Sequence, residues 1–258
     1  MKPPPRANVL GVGVHALDLD TACALVVERA RGGPAGFVCC CDVNSVSCAH
    51  RDPRHRAILN RAFLATPDGM PVVWLARLDD HAGIDRVYGP DLLLAVCAAT
   101  AGTGLGHFFY GGTPGTADRL AAALQKRFPG LRVAGTRTPP YGPPSEEELA
   151  RVAQDLRTGD AAFCWVGLST PKQEALMAAL QPRLERGVLL GVGAAFDLHS
   201  GRIRQAPRWL QRSGLEWLWR LALEPRRLGP RYLRNNPLFL LRALAQATGL
   251  RRYPLDTE

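Results

Sequence analysis

Ala161-Ala-Phe-Cys-Trp-Val-Gly-Leu-Ser-Thr-Pro-Lys-Gln-Glu174, followed by Gly187-Val-Leu-Leu-Gly-Val192, decides the fold of this 258-residue chain. Each apolar run is too short for a buried helix and has no polar alternation, which is the pattern of a strand covered on both faces. Between them Pro171 to Leu184 has helical spacing, so the unit reads strand, helix, strand. Outward from it the pattern recurs. His107 to Tyr110 and Leu131 to Gly135 are predicted strands, and Thr116 to Phe128 and Ser145 to Arg157 are predicted helices. Toward the N-terminus come an apolar run at Asn8 to Val14, a helix at Thr21 to Arg31, a strand at Gly36 to Cys41, a helix at Asp52 to Ala62 and another beginning near Met70. Such alternation predicts an α/β fold, a Rossmann-like and largely parallel sheet with helices on both faces. Its ligands are expected where strands end and helices begin.

Composition divides the chain. Twelve arginines and no lysine lie between Arg202 and Glu258, against Glu216, Glu224, Asp256 and Glu258, so this segment carries nearly all of the +9 formal charge. Residues 1–200 are therefore expected to form the catalytic core, and 201–258 a basic helical appendage. Arginine interleaved with Trp209, Trp217, Trp219, Tyr232, Phe239 and Tyr253 suits an anionic, partly apolar surface such as a bilayer with acidic lipids. A solvated basic helix and a nucleic-acid-binding tail are the competing readings.

Met1-Lys-Pro-Pro-Pro-Arg6 leads into only a short apolar run, with no cleavage site and nothing near the roughly 20 apolar residues that span a bilayer. Membrane contact is expected to be peripheral and the compartment cytoplasmic. Seven cysteines, three of them consecutive at Cys39, Cys40 and Cys41, do not resemble a disulfide framework. Cys41, Cys48, His50 and His55 match no standard zinc spacing, and no Asp-x-Asp follows an apolar strand. Asp79-Asp80 sits in a polar linker, so no metal site and no cofactor is expected.

Three junctions have phosphate-compatible chemistry. Tyr110-Gly-Gly-Thr-Pro-Gly115 offers backbone N–H groups at Gly111 and Gly112 to an anion. Val166 to Glu174 repeats the arrangement with Lys172 and Gln173 in reach of a ligand, and Gly191-Val-Gly-Ala-Ala-Phe-Asp197 supplies a third loop with Gly193 and Asp197. Each is also an ordinary turn between strand and helix; three at successive strand ends favour a nucleotide diphosphate pocket. A rival lies at Gly11-x-Gly13-x-x-Ala16, which imitates a nicotinamide dinucleotide fingerprint, although the helical pattern begins only near Asp20 or Thr21. Asp68, between Pro67 and Gly69, is the carboxylate of interest, with a helix cap as its bland role. Arg86 stands in a second turn that brings a cation near it.

Together Pro67-Asp68-Gly69, Arg86-Val-x-Gly-x-Asp91-Leu, Phe109-Tyr-Gly-Gly112, Val166-Gly-Leu-x-x-Pro-Lys-Gln-Glu174, Gly191-Val-Gly-Ala-x-Phe-Asp197, Ala206-Pro-x-Trp209 and Leu215-Glu-Trp217-x-x-Arg220-Leu-x-x-Glu224-Pro-x-Arg227 resemble the WecG/TagA/CpsF glycosyltransferases. The resemblance implies a metal-independent enzyme on the cytoplasmic face of a bacterial membrane. It would transfer N-acetylmannosamine or another hexose from a UDP-sugar to a polyprenyl-diphosphate-linked sugar in the synthesis of cell-surface polymers such as teichoic acid. By the same resemblance Asp68 is the base, and Asn44, Arg86 and Gln173 line the pocket. Arg220, Arg227 and Arg231 then meet the donor or lipid diphosphate, and Trp209 and Trp217 the membrane. The sequence departs from the family pattern at Asp42, at Met70-Pro71 and at Gly229-Pro230. An inverting transfer needs one base, and without a metal the arginines and helix N-termini must take up the charge of the departing UDP. Nucleic acid is not expected as a partner, a homo-oligomer is left open, and an NAD-dependent oxidoreductase remains the main rival.

Overall fold

A computed structural model describes residues 4–78 and 83–255; Asp79-Asp80, Asp256 and Glu258 lie outside the described residues. The chain opens with a hairpin of β1 (Arg6–Val9) and β2 (Val12–His15), then α1 (Leu19–Gly32), β3 (Gly36–Cys41), α2 (Val43–Arg51), α3 (Pro53–Arg61), β4 (Leu64–Pro67) and α4 (Met70–Arg77). It continues through α5 (Gly89–Thr100), β5 (Gly106–Gly111), α6 (Thr116–Arg127), β6 (Arg132–Arg137), α7 (Glu146–Thr158), β7 (Ala161–Gly167), α8 (Lys172–Leu180), β8 (Val188–Gly191) and α9 (Ala195–His199). Three helices close the chain: α10 (Arg208–Arg212), α11 (Glu216–Leu223) and α12 (Pro225–Ala247).

Side-chain caps start several of these helices. Asp18 accepts from Thr21 N at 2.8 Å, Asp42 from Ser45 N at 2.7 Å, Asp52 from Arg54 N at 2.9 Å and Ser145 from Glu148 N at 3.2 Å. The helix expected at Asp52 to Ala62 is present as α3; Asp52, which starts it, also ends α2, so an additional helix precedes it across a corner.

Six strands form one parallel sheet in the order β4-β3-β8-β7-β5-β6. Every residue of β3 is buried, and side chains alternate between two cores. Cys39, Cys41, Tyr110, Cys164, Val166 and Leu189 pack on one face; Val38, Cys40, Phe109, Phe163, Trp165 and Leu190 pack on the other. The consecutive cysteines are thus small apolar residues in a doubly covered strand, and burial pushes the thiols of Cys39, Cys40 and Cys41 up.

Gly11 and Gly13 belong elsewhere. Val9 pairs with Val12, leaving Leu10 and Gly11 as a two-residue loop with φ of 54° and 87°. A tight antiparallel turn with two positive φ values divides the apolar run at Asn8 to Val14 between two strands. The glycines turn one strand back on another instead of leading a strand into a helix, which removes the basis of the dinucleotide reading.

After β4 the chain leaves one side of the sheet and re-enters at β5, so β3 and β8 become neighbours across a change in winding direction. A crevice opens at the carboxyl ends of the strands beside such a change.

Candidate active site

The crevice is a cavity of about 530 Å³, a volume usual for a ligand pocket. One wall is made by strand ends: Asp42 and Asn44 after β3, Asp68 and Gly69 after β4, Gly167 to Thr170 after β7, and Gly193 after β8. Opposite stand Arg220 of α11 and Arg227, Arg231, Tyr232 and Asn235 of α12.

Asp68 follows directly from β4, whose last residue pairs with Cys41, and its backbone N–H donates to Cys41 O at 3.1 Å. It does not cap the next helix: Gly69 holds the N-cap of α4, with no side-chain hydrogen bond there. Its Oδ2 instead accepts from Gly89 N, the first residue of α5, at 3.3 Å. Arg86 donates from Nε to Asp68 O at 2.5 Å, while its Nη2 lies 3.7 Å from Asp68 Oδ1. Burial raises the carboxyl to a pKa of about 7; Arg86 opposes the rise, and the carboxylates of Asp42 and Glu216 add to it. A carboxyl poised there serves as a general base near neutral pH.

Gln173 is buried under the β8 turn. Its Oε1 accepts from Gly193 N at 3.1 Å and its Nε2 donates to Glu174 Oε1 at 3.1 Å, which fixes the orientation of the amide. Thr170 donates to the same Glu174 oxygen at 2.7 Å, and Ser169 beside it takes φ of 64°, a conformation a side chain adopts only when its surroundings enforce it. Asp197 accepts from Arg202 at 3.2 Å at the cavity edge.

On the helical wall, Arg227, Arg231 and Asn235 recur at a spacing of four and share one face of α12. The helix runs through Gly229-Pro230 without a break, so the sequence departure there leaves the arginines aligned. Burial disfavours the charge on Arg220, yet Tyr232, Tyr88, Glu216 and Asp42 outweigh it and hold the guanidinium above its ordinary pKa. Asn235 donates to Asn44 Oδ1 at 3.0 Å and accepts from Arg51 at 2.9 Å, tying α12 to the first strand end.

Several expected residues lie elsewhere. A Cβ on Gly111 would stand 2.6 Å from Gly167 O, and one on Gly112 would stand 2.7 Å from the Thr116 side chain, so close packing of β5 on β7 and α6 accounts for both glycines. Neither lines the cavity, and Lys172 is exposed outside it. Trp217 lines the cavity and meets Tyr232 edge-on at 5.9 Å, whereas Trp209 is 69 % exposed.

The order of these features along the chain, from the hairpin to the last helix, matches one sequence profile over residues 7–253, that of the WecG/TagA/CpsF glycosyl transferases. The chain belongs to that family. Two curated relatives are named N-acetylglucosaminyldiphosphoundecaprenol N-acetyl-beta-D-mannosaminyltransferase. The one from Bacillus spizizenii is 28 % identical over 179 residues, covering 69 % of this chain and 68 % of its own. The one from Bacillus subtilis is 26 % identical over 177 residues, covering 69 % and 67 %.

Among the cavity residues left without a role in the sequence reading are Asp42, Tyr88, Glu216 and Asn235. Asp42 stood out only as a departure from the family pattern. Glu216 stood only as one position of the Leu215-Glu-Trp217 stretch, and nothing in sequence spacing foretells that Arg86 is its partner, 130 residues away.

Proposed function

We propose that this chain is an inverting glycosyltransferase that moves N-acetylmannosamine, or another hexose, from a UDP-sugar to a polyprenyl-diphosphate-linked N-acetylglucosamine. The observation that carries the reading is the pairing of a base with a pKa of about 7, Asp68, on one cavity wall with Arg220, Arg227 and Arg231 on the other. The names of the two relatives supply the sugar and the lipid acceptor.

In a single displacement Asp68 takes the proton of the acceptor hydroxyl as its oxygen attacks the anomeric carbon. The bond from that carbon to the β-phosphate oxygen breaks, and its electron pair leaves with UDP. Guanidinium groups meet the charge that develops on the diphosphate, by strong charge-assisted hydrogen bonds and without a divalent ion. The turn at Gly193, held by the amide of Gln173, forms the nucleotide side of the pocket in this scheme.

Residues 201–258 act in this scheme as a unit that both completes the pocket and rests on the inner face of the membrane. Among the described residues no helix is long and apolar enough to cross a bilayer. Leu233, Leu241 and Leu244 of α12 are nonetheless 75, 65 and 62 % exposed, beside the arginines of the same helix. Apolar side chains flanked by basic ones lie in the headgroup region of an anionic bilayer, each basic residue contributing about 1 kcal/mol.

Transfer from UDP-N-acetylmannosamine to a short-chain polyprenyl-diphosphate N-acetylglucosamine, followed by mass spectrometry in excess EDTA, is the test. The rate is expected to rise with pH through about 7, as Asp68 loses its proton. Transfer that requires added Mg²⁺ or Mn²⁺, or a retained anomeric configuration in the product, would overturn the scheme.

A further inference from the structure

Arg86 is the obvious anion receptor beside Asp68, yet its donors are engaged within the protein. Nε donates to Asp68 O at 2.5 Å, Nη1 to Gln211 O at 3.1 Å and Nη2 to Glu216 Oε2 at 2.5 Å. The guanidinium lies over the Tyr88 ring at 4.1 Å, and Tyr88 Oη donates to the other Glu216 oxygen at 2.7 Å. Arg86 and Glu216 side chains are each only 12 % exposed. Paired and desolvated, an arginine in this state holds structure together rather than waiting for phosphate.

We propose that Glu216 is a positioning residue: from α11 it fixes Arg86 and Tyr88, and through Arg86 the backbone and carboxyl of Asp68, so the base is set only when the C-terminal helices are seated. The inference rests on the reading of Asp68 as the base. Distances carry it. Arg86 Nη2 stands 2.5 Å from Glu216 and 3.7 Å from Asp68, so the positioning carboxylate wins the charge-assisted bond. Asp68 Oδ2 keeps the N–H of Gly89 at 3.3 Å, and Nη2 of Arg86 reaches its carboxyl only at 3.7 Å, which weakens the pull on its proton.

The groups facing Asp68 come from three places. Cys40 and Asp42 belong to β3 and its end, Arg86 and Tyr88 to the segment before α5, and Glu216 to α11, with Arg220 one turn further along. Removing the Glu216 charge takes away a like charge and releases Arg86 toward Asp68. Both changes favour the ionised carboxylate, so its pKa must fall.

The test is a titration of the Asp68 carboxyl in the full chain by ¹³C NMR, with Asp68→Asn to assign the signal. The parent midpoint is expected at about 7, and Glu216→Gln is expected to lower it by about one unit. With lipid acceptor the acidic limb of kcat/KM moves the same way, and kcat falls about tenfold while UDP affinity by calorimetry stays within about twofold. A role confined to helix packing would lower stability and leave the midpoint in place.

Should Glu216→Gln not fold, Glu216→Asp draws the carboxylate back from Arg86 and Asp68 alike and gives a smaller displacement of the same sign. A midpoint that stays put, or rises, in the folded variants overturns the inference. If the midpoint falls while no UDP-sugar supports transfer, it is the glycosyltransferase reading that fails and the positioning that stands. If Asp68→Asn abolishes transfer while Glu216→Gln alters neither midpoint nor kcat, the positioning alone fails.

Discussion

The two walls of the cavity are built on opposite terms. The strand-end wall grows out of a sheet with fully buried strands such as β3, β4 and β5, where each apolar side chain removed from water contributes about 1.5–3 kcal/mol. The helical wall has little such support: α11 buries no residue, and α12 buries Leu228, Asn235 and Phe239. It is joined to the rest by polar links, Glu216 to Arg86, Asn235 to Asn44 and Arg51, and Gln246 to Asn8 and Leu10. Such links contribute about 1 kcal/mol each, rather more where a charge is involved. Regions with few buried contacts open at a fraction of the global stability. The proposed base is thus mounted on the more deeply buried part, and most of the positive charge on the part with fewer buried contacts.

That contrast is sharpest in the arginines. Arg220→Ala/Arg227→Ala should lower transfer by roughly 10³-fold or more, because each lost donor leaves departing charge unmet. Circular dichroism should show the fold retained, and a variant that transfers at near the parental rate would move the charge-bearing role elsewhere. Next comes Asp68→Asn, expected to cost roughly 10²-fold in kcat with UDP affinity unchanged.

The same substitution has a stability signature on the rigid wall. An unfolded Asp titrates near 3.9, whereas Asp68 in the fold titrates at about 7. The fold therefore favours the protonated carboxyl; the stability this adds is fully present below about pH 4 and is lost as pH rises through 7. Asn escapes that loss, so the variant should melt a few degrees above the parent at pH 8 and level with it at pH 4. Calorimetry at the two pH values decides, and a parent that is the more stable at pH 8 would make Asp68 the ionised partner of Arg86.

Smaller effects probe the joins. Asn235→Ala strands Arg51 and Asn44 and should destabilise α12 by about 1–3 kcal/mol, visible as faster amide exchange in that helix, with transfer down only severalfold. Mildest for catalysis is Leu233→Ser/Leu241→Ser/Leu244→Ser. It should leave transfer to a detergent-solubilised acceptor intact while flotation with anionic vesicles falls by about tenfold. Undiminished flotation would place the lipid contact on another face.

How much of this was legible in the sequence follows the same division. The buried wall was well forecast, because doubly covered strands and capped helices are local patterns, and Asp68, Asn44, Gln173 and Gly193 fell at strand ends. What adjoins what was not, since the winding order that sets β3 beside β8 is no property of either strand. Two elements escaped notice. Val43–Arg51 is a helix of serine, asparagine and cysteine with weak propensity, and Leu64–Pro67 is a strand of only four residues. Gly111 and Gly112 resembled a phosphate cradle because glycine signals that backbone comes close to something, and here that something is Gly167 and Thr116. Glu216 was missed because its partner, Arg86, lies 130 residues away, beyond the reach of any local pattern.

One of the polar links also sets a schedule. Asn8 donates to Tyr253 O at 2.7 Å across 245 residues, and Leu10 and Gln246 make a second such bond close by. During translation the hairpin at the beginning of the chain must wait for the last turns of the final helix to leave the ribosome. At 5–20 residues per second that interval is about 12–50 s. Until it ends the helical wall is not fastened to the hairpin, and a chain still under synthesis holds its proposed base without the charges proposed to act with it.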